Sequence, residues 1–279
     1  MTNSPKAPKE LKKAVILARG LGKRMRQADP AASLPGAQRH AADAGMKAMI
    51  PIGRPFLDFV LSALADAGIS SACLIVGPEH TAIREYYKSL APRRIEIHFA
   101  IQEHPIGTAN ALLAARAYTA NDPFLTLNSD NYYPVEVYKA LRSLEEPGLP
   151  AFEREALLRE SNIPEERVRD YALLRISDSG YLEKIIEKPG ALLSDARAGE
   201  EVFISMNCWR FDSAIFRACE AVPRSPRGEF ELPEAVQSGI ANLGLRFKTI
   251  PFHTGVLDLS RRSDIASVAE RLRAVRVVL

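Results

Sequence analysis

Short apolar runs alternate with amphipathic segments through the first half of the chain, and this alternation constrains the fold more than any other feature. Residues 13–18 form an apolar run that ends before Gly20, and residues 73–76 form another that ends at Gly77. Runs of this length between turn residues are typical of buried parallel strands. Residues 56–67 lie between the two runs and carry apolar side chains at helical spacing. The pattern predicts a strand, a helix and a second strand.

The same alternation continues to about residue 144. Helices are predicted at 80–90, 108–118 and 135–144, and strands at 95–101 and 123–127. Alternating strands and helices indicate an α/β fold, in which a parallel sheet carries helices on both faces. Ligands of such sheets bind beyond the carboxyl ends of the strands. We therefore expect the chemistry in the loops after Ala18, around Gln102 and around Asp130.

The second half of the chain has the pattern of a mixed sheet. Strands are predicted at 172–176, 181–186 and 202–211, with a hairpin turn at 178–180. Helices are predicted at 232–238 and 264–275, and residues 153–169 are interpreted as a helical insertion. Residues 1–12 are expected to be a disordered polar leader, residues 19–45 a long loop, and residues 13–279 a single domain.

The composition excludes several classes of protein. Hydrophobic residues make up 47% and charged residues 25% of the 279 residues, as in an ordinary globular protein. The net charge is +3 and no basic cluster interleaves with aromatic residues, so no nucleic-acid partner is expected. No apolar run approaches a membrane span, and the polar N-terminus lacks the pattern of a signal peptide. The three cysteines are widely spaced, which is typical of reduced thiols. We expect a cytoplasmic protein without a membrane partner.

A glycine loop with cationic residues follows the first strand. Gly20 and Gly22 let backbone amides approach an anion closely, and three Lys or Arg residues follow. A P-loop is excluded because Leu17 and Arg24 occupy positions where that motif needs Gly and Ser or Thr. The dinucleotide fingerprint is excluded because Met25 stands where its third glycine belongs. The loop by itself fits either a phosphate site or a tight turn with solvated cations.

Further motifs follow in order along the chain. They are Lys47 within residues 46–52, Gln102, Gly107 and Thr108 within 102–109, Asp130 within 127–131, Glu187-Lys188-Pro189, Asn207, Glu229 within 228–232, and Asp258 within 256–259. In this order they resemble the sugar-1-phosphate nucleotidylyltransferase family from about residue 13 to residue 275. The resemblance implies a Rossmann-like, GT-A-like three-layer sandwich with a mixed, mainly parallel sheet and an added sugar-binding sheet. It also implies a nucleotide-binding half at about 13–150 and a sugar-binding half at about 151–260.

The resemblance implies an enzyme that joins a nucleoside monophosphate, from a triphosphate donor, to a sugar 1-phosphate and releases pyrophosphate. Two anions meet in this reaction, so catalysis rests on positioning and on neutralisation of charge. Arg24 matches the family's cation that holds the triphosphate, and Lys47 matches the cation near the α-phosphate. Asp130 and Asp258 match the carboxylates that bind Mg²⁺, a cation that prefers oxygen ligands.

Three features depart from the family pattern. The stretch between Arg24 and Lys47 is longer than usual, Arg19 stands where Ala or Gly is usual, and Val256 replaces a common aromatic residue. Arg19 either adds a phosphate contact or points outward.

The nucleotide is expected to bind near the glycine loop and the two following loops. The residues that match the family there are Ala18, Gly20, Gly22, Gln102, Gly107 and Thr108. The Gln102 amide can donate and accept, which suits the imide edge of uracil or thymine. UTP or dTTP is therefore the predicted donor, with glucose 1-phosphate as the acceptor. Thr108 is expected to cap the helix that follows it.

The sugar phosphate is expected to bind Glu187 through its hydroxyls and Lys188 through its phosphate. Asn207 and either Glu229 or Glu231 match further sugar contacts, whereas Trp209 is interpreted as strand packing. The five histidines lack the spacing of metal ligands and are interpreted as bystanders.

Other functions stay open at this point. One alternative is a GTP:mannose-1-phosphate guanylyltransferase, although Gln102 suits uracil or thymine better than guanine. A second is a nucleotidyltransferase that acts on a polyol phosphate or a cofactor precursor, and a third is a non-catalytic regulatory protein that binds nucleotide sugars. The sequence does not decide between a monomer and a homo-oligomer.

Overall fold

The computed structural model describes residues 9–30, 32–190 and 201–279. The strands are β1 Lys13–Leu17, β2 Ser71–Val76, β3 Glu96–Ile101, β4 Phe124–Asn128, β5 Asn131–Tyr132, β6 Gly148–Glu153, β7 Leu173–Ile176, β8 Leu182–Ile186, β9 Phe203–Ile204, β10 Cys208–Phe211, β11 Lys248–Phe252 and β12 Leu257–Asp258. The helices are α1 Lys23–Arg26, α2 Gly36–Asp43, α3 Phe56–Asp66, α4 Thr81–Leu90, α5 Thr108–Leu113, α6 Arg116–Thr119, α7 Val135–Ser143, α8 Arg154–Glu160, α9 Glu165–Val168, α10 Ile215–Ala221, α11 Leu232–Leu243 and α12 Asp264–Leu272. A 3-10 turn spans Lys47–Met49.

The first half forms the predicted parallel sheet, with strand order β3-β2-β1-β4. Successive side chains of β1 point to opposite faces, so Ile16 packs in one core and Val15 in the other. Helices α3, α4, α7 and α12 cover the first face, and α5, α10 and α11 cover the second. Because the four strands run the same way, their carboxyl ends meet at one edge of the sheet.

The second half extends this sheet with antiparallel and parallel strands. Strand β10 pairs antiparallel with β4, and β6 pairs antiparallel with β10 and parallel with β11. The hairpin predicted at 178–180 is confirmed, because β7 and β8 pair antiparallel and Gly180 adopts φ 75°. The whole is a mixed, mainly parallel α/β sandwich. No helix among the described residues is long and apolar enough to cross a membrane.

Several predicted elements differ in the structure. The single strand predicted at 202–211 is wrong, because Asn207 adopts φ 59° and separates β9 from β10. The helix predicted at 108–118 is divided into α5 and α6. The loop predicted at 19–45 contains α1 and α2, and β6, β11 and α10 were not predicted. Gly148 and Pro150 interrupt the apolar pattern of β6, which explains why the sequence did not indicate a strand there.

Two segments with uncertain roles can be placed. Residues 1–8 of the predicted leader at 1–12 lie outside the described residues. Leu11, near its end, is buried, and its carbonyl accepts a hydrogen bond from Arg142 Nε at 3.2 Å. The predicted helical insertion at 153–169 contains the two short helices α8 and α9.

The long stretch between the glycine loop and Lys47 folds back onto that loop. Gly22 adopts φ 60°, and a Cβ atom there would lie 2.3 Å from the carbonyl oxygen of Gly45. Arg26 donates to the carbonyl of Ala44 at 2.8 Å, and Arg262 donates to the carbonyl of Met25 at 2.9 Å. The close approach of Gly22 to Gly45 and the hydrogen bonds from the two arginine side chains hold the 3-10 turn that carries Lys47 beside the glycine loop.

We predict that Gly22→Ala lowers the free energy of unfolding by about 2 kcal/mol or more, because the substitution combines an unfavourable φ with a backbone clash. Urea unfolding followed by circular dichroism measures the change. Gly20→Ala is the matched control, because a Cβ atom at Gly20 has no neighbour within 4 Å. Equal stabilities of the two variants would contradict the close contact between Gly22 and Gly45.

Candidate active site

A cavity of about 370 Å³ opens at the carboxyl edge of the parallel strands. This volume lies in the range of small-molecule sites, and the position is the one expected for ligands of α/β sheets. The predicted site residues that line it are Ala18, Gly20, Gly22, Arg24, Lys47, Gln102, Gly107, Thr108, Asp130 and Glu229. The fold therefore brings together residues that are more than 200 positions apart in the sequence.

Four predicted site residues are not in the cavity lining: Glu187, Lys188, Asn207 and Asp258. Asp258 lies directly behind the lining, because β12 pairs with β5 and the amide of Leu259 donates to the carbonyl of Asp130 at 2.8 Å. Ser260, two residues after Asp258, does line the cavity.

Lys47 and Asp130 form an ion pair inside the cavity, in which Lys47 Nζ donates to Asp130 Oδ2. Burial alone lowers the pKa of Lys47, but the Asp130 carboxylate outweighs burial and raises it above the ordinary value. The ammonium group therefore stays charged at neutral pH. Arg24, in the short helix α1 after the glycine loop, lines the same cavity, as do Arg19 and Lys23, so the lining is rich in positive charge.

Asp258 is buried and both of its carboxylate oxygens are engaged. Oδ1 accepts from Ser260 Oγ at 2.9 Å and from Asn131 Nδ2 at 3.3 Å, and Oδ2 accepts from Tyr171 at 2.9 Å and from Arg167. Burial raises the pKa of Asp258, as does the nearby Asp130 charge, whereas Arg167 acts in the opposite direction.

The carboxylates of Asp130 and Asp258 differ in how readily each could bind a hard divalent cation. Asp130 lines the cavity, and within the described residues its carboxylate accepts one side-chain hydrogen bond, from Lys47. Asp258 already accepts four hydrogen bonds, about as many as a carboxylate can take. In the described parts of the chain, no group of three or more His, Cys, Asp or Glu side chains is arranged to hold a metal. Asp130 thus fits as an ion ligand as it stands.

Gln102 is buried and its amide orientation is determined by its neighbours. Nε2 donates to the carbonyl of Gly107 at 3.0 Å and to Asn110 Oδ1 at 2.9 Å. Because a carbonyl only accepts, Nε2 must face Gly107, and Oε1 is the atom that can accept from a ligand. No hydrogen bond among the described residues uses Oε1. Asn110 lies one turn into α5 and was not identified from the sequence.

Gly107 and Thr108 join the cavity lining beside Gln102 to the start of α11. Gly107 adopts φ 117°, and a Cβ atom there would lie 2.3 Å from the carbonyl oxygen of Phe230. The sequence predicted that Thr108 caps the helix that follows it, but no side chain caps α5. The Thr108 hydroxyl instead accepts from the amide of Leu232 at 2.9 Å, because the chain after Phe230 runs beside it.

Glu187 and Glu231, which are outside the cavity lining, influence each other's charge. Burial raises the pKa of Glu187 and the charge of Glu231 raises it further, while Arg227 opposes both. Arg227 Nε donates to Glu231 at 3.1 Å. Glu229 reaches the cavity itself.

Two predicted sugar contacts have strained backbones. Lys188 adopts φ 47° and Asn207 adopts φ 59°, in the left-handed region that residues other than glycine rarely occupy. Such strain is concentrated at ligand sites, where the surrounding structure holds it. The roles of Lys188 and Asn207 stay predictions.

The sequence did not identify every residue at the cavity. His80 lines it, although the histidines were interpreted as bystanders, and its Nδ1 accepts from the amide of Gly77 at 3.3 Å. Burial lowers the pKa of His80, so its ring is neutral at pH 7.

Arg19 does not point outward: it is buried at the cavity edge, and its Nη2 contacts Glu79 at 3.2 Å. Trp209 is fully buried and stacks on Phe211, as predicted.

Relatives of known name match large parts of the chain. The glucose-1-phosphate thymidylyltransferase of Streptomyces griseus is 26% identical over 226 residues, which cover 81% of this chain and 56% of that protein. The low-salt glycan biosynthesis nucleotidyltransferase Agl11 of Haloferax volcanii is 27% identical, and the match again covers 81% of this chain and 56% of the relative. The chain thus spans about half the length of these two relatives. The UTP–glucose-1-phosphate uridylyltransferase AglF of Haloferax volcanii is 27% identical, with 93% of this chain and 96% of that protein covered.

Solved structures share the fold. A UDP-glucose pyrophosphorylase in complex with UDP-glucose superposes with a TM-score of 0.70 at 18% identity, covering 95% of this chain and 100% of that chain. The model of the family described as nucleotidyl transferase matches residues 41–251, more than half of the sequence. The chain belongs to the nucleotidyl transferase family.

Proposed function

We propose that this protein transfers a nucleoside monophosphate from a nucleoside triphosphate to a sugar 1-phosphate, forming a nucleoside diphosphate sugar and pyrophosphate. One observation carries the proposal: a single cavity is lined by the glycine loop together with Arg24, Lys47, Asp130 and Gln102. The names of the uridylyl- and thymidylyltransferase relatives support the same reaction.

The reaction needs the cationic side chains that the cavity provides. A phosphate oxygen of the sugar 1-phosphate attacks the α-phosphorus, and the bond from that phosphorus to the pyrophosphate breaks. Negative charge accumulates on the leaving pyrophosphate, where Arg24 is placed to neutralise it. Lys47 is held charged by Asp130 and is assigned to the α-phosphate. Positioning and charge stabilisation supply the catalysis, as in other phosphoryl and nucleotidyl transfers.

Nucleotidyltransferases of this family generally use a divalent metal ion. We assign Mg²⁺ to this role, with Asp130 as the ligand that faces the cavity and Asp258 as the second predicted ligand. When bound, the ion would neutralise part of the triphosphate charge. Asp258 could bind it directly only by exchanging a present partner, such as Arg167.

The donor is assigned from the orientation of Gln102. Oε1 is an acceptor, and the imide edge of uracil and thymine offers one N–H between two carbonyls. Guanine offers two adjacent donors, which one amide oxygen satisfies less well. UTP or dTTP is therefore the proposed donor and glucose 1-phosphate the proposed acceptor, in line with the names of the relatives.

The sugar phosphate is assigned to Glu187, Lys188, Asn207 and Glu229. Substrates of this kind are cytoplasmic metabolites, so we place the enzyme in the cytoplasm.

The proposal is tested with a matrix of five nucleoside triphosphates against a panel of sugar 1-phosphates, with pyrophosphate release as the readout.

Asp130→Asn is expected to lower turnover about 100-fold or more while the protein remains folded, because an anionic ligand and the partner of Lys47 are both lost.

Asp66→Asn is the matched control, since Asp66 forms an exposed ion pair with Arg94 away from the cavity. Near-normal turnover of Asp130→Asn would remove Asp130 from the mechanism. A wild-type protein that binds nucleotide sugars and releases no pyrophosphate with any pair would instead be a regulatory protein.

Gln102→Glu is expected to shift donor preference away from UTP and dTTP, because a carboxylate cannot donate to the Gly107 carbonyl and the acceptor proposed to face the base loses its fixed position. The measurement is a competition assay with all five triphosphates and one sugar 1-phosphate. Gln38→Glu is the control: Gln38 Nε2 also donates to a backbone carbonyl, that of Pro51 at 2.8 Å, but Gln38 does not line the cavity. An unchanged ranking of donors in Gln102→Glu would exclude Gln102 from base recognition.

A further inference from the structure

Arg19 is a buried cation that the protein itself compensates poorly. Its side chain is 7% exposed, whereas Glu79, the carboxylate that pairs with it, is 51% exposed. Arg19 Nη2 lies 3.3 and 3.2 Å from the two oxygens of Glu79, farther than the roughly 2.7–2.9 Å of a strong charge-assisted hydrogen bond. Among the described residues, no group accepts from Arg19 Nε or Nη1. Because a buried charge is costly unless it is paired and hydrogen-bonded, these donors indicate a ligand with acceptor oxygens.

The guanidinium of Arg19 lies against the turn that joins β2 to α4. A Cβ atom at Gly77 would lie 2.5 Å from Arg19 Nε and 2.3 Å from Glu79 Oε2. Arg84 donates to the carbonyls of Gly77 and Pro78 at 3.0 Å each, which holds this turn in place. The glycine at position 77 thus leaves room for a long side chain at position 19.

Helix α4 begins directly after this turn and has no side-chain cap. Its N-cap residue, His80, makes no capping hydrogen bond through its side chain, and the first turn of this ten-residue helix carries no acidic residue. The first amides of a helix have no partner within the helix, and the helix dipole favours an anion near them. The start of α4 therefore suits an oxyanion, and the buried cation of Arg19 lies beside it.

His80 adds a donor on the same side of the cavity, which both His80 and Arg19 line. Because its Nδ1 accepts from a backbone amide, Nε2 carries the proton of the neutral ring. This Nε2 lies 3.6 Å from Glu79 Oε1, beyond hydrogen-bond distance. Burial lowers the pKa of His80. The charge of Glu79 raises this pKa, and three arginine charges lower it, those of Arg19, Arg84 and Arg26. Positive charge thus exceeds negative charge around the ring.

We propose that Arg19, His80 and the first turn of α4 bind a phosphate group, in addition to the phosphate contacts of the glycine loop. Phosphate oxygens accept from the unpaired nitrogens of Arg19 and from His80 Nε2. Glu79 then turns towards solvent, where half of its side chain already lies. Binding thereby exchanges a long contact with an exposed carboxylate for short hydrogen bonds to an oxyanion.

Two sources supply such a phosphate group. One is the terminal phosphates of the donor triphosphate, in which case the inference rests on the proposed function and Arg19 adds a contact to the leaving pyrophosphate. The other is free inorganic phosphate, which would bind independently of the reaction. The chemistry of recognition is the same, and the experiment separates the two sources.

Isothermal titration calorimetry without a divalent ion measures the binding of inorganic phosphate, pyrophosphate, UMP and UTP. Arg19→Met keeps a long side chain and removes its charge. It is expected to raise the Kd of the bound phosphate probe about tenfold, because charge-assisted hydrogen bonds are lost. Arg116→Met is the matched control, since Arg116 pairs with the exposed Glu220 at 2.7 Å and does not line the cavity.

The pattern across the probes identifies the source. If the donor supplies the phosphate, the loss appears with UTP and pyrophosphate but not with UMP. If the phosphate is free, the loss appears with inorganic phosphate, and it persists when the protein is saturated with UTP.

Glu79→Gln tests the exchange of partners. Removal of the competing carboxylate is expected to lower the Kd of the same probe about threefold, and the gain is expected to be absent from the double variant Arg19→Met/Glu79→Gln. Glu220→Gln, the matched control, is expected to leave the Kd unchanged. A purely structural pair of Arg19 and Glu79 would give no such gain.

The proposal is overturned if Arg19→Met binds all four probes as the wild type does. Thermal unfolding shows whether Arg19→Met folds; if it does not, an unchanged Kd for every probe in Glu79→Gln overturns the proposal instead. A failure of the proposed reaction would be seen separately, as the absence of pyrophosphate release from a protein whose phosphate binding depends on Arg19.

Discussion

The ion pair between Lys47 and Asp130 is the interaction on which the candidate site depends. Lys47 lies at the end of the long stretch that follows the glycine loop, and Asp130 follows β4 in the middle of the sheet. The close backbone contact of Gly22 with Gly45 brings the end of this stretch back to the sheet edge, so that the two charges meet. A fully exposed pair would contribute little, but this pair is mostly buried, and its loss would leave a charge unpaired in the cavity. The pair also maintains the cationic form of Lys47, which phosphate binding requires.

The negative charge behind this pair is balanced from a distant part of the chain. Asp130 directly precedes β5 and Asp258 lies in β12, which pairs with β5, so the two like charges are close enough to destabilise each other. Arg167 compensates for Asp258 from the insertion, and Lys47 compensates for Asp130 from the long loop. The long stretch before Lys47 and the predicted insertion at 153–169 therefore each supply one cation to this pair of aspartates.

The parallel sheet could be predicted from the sequence, and most of the predicted site residues do line the cavity, because both depend on local patterns. Fully apolar runs such as β1 and β2 are recognised from composition, and the residues that follow them must lie at one edge. The orientation of Gln102 could not be predicted, since it depends on the carbonyl of Gly107 and on Asn110, whose contact is a matter of three-dimensional packing. Arg167 lies 91 residues from Asp258 in a charged segment without distinctive local features. The break at Asn207 was missed because strand propensity does not indicate a single left-handed residue.

The cavity lining at Gly107 and at Glu229 is joined by backbone hydrogen bonds. The amide of Ala109 donates to the carbonyl of Phe230 at 2.9 Å, and the amide of Phe230 donates to the carbonyl of Ile106 at 2.8 Å. This pairing lies between Gln102, which is bonded to Gly107, and Glu229, which precedes Phe230. It is also the reason that position 107 requires glycine, since a Cβ atom would separate the two backbones. The segment that carries Gly107 and the segment that carries Glu229 are therefore held to each other by backbone hydrogen bonds. Neither segment can shift at the cavity without moving the other, because rigid main-chain contacts rather than flexible side chains connect them.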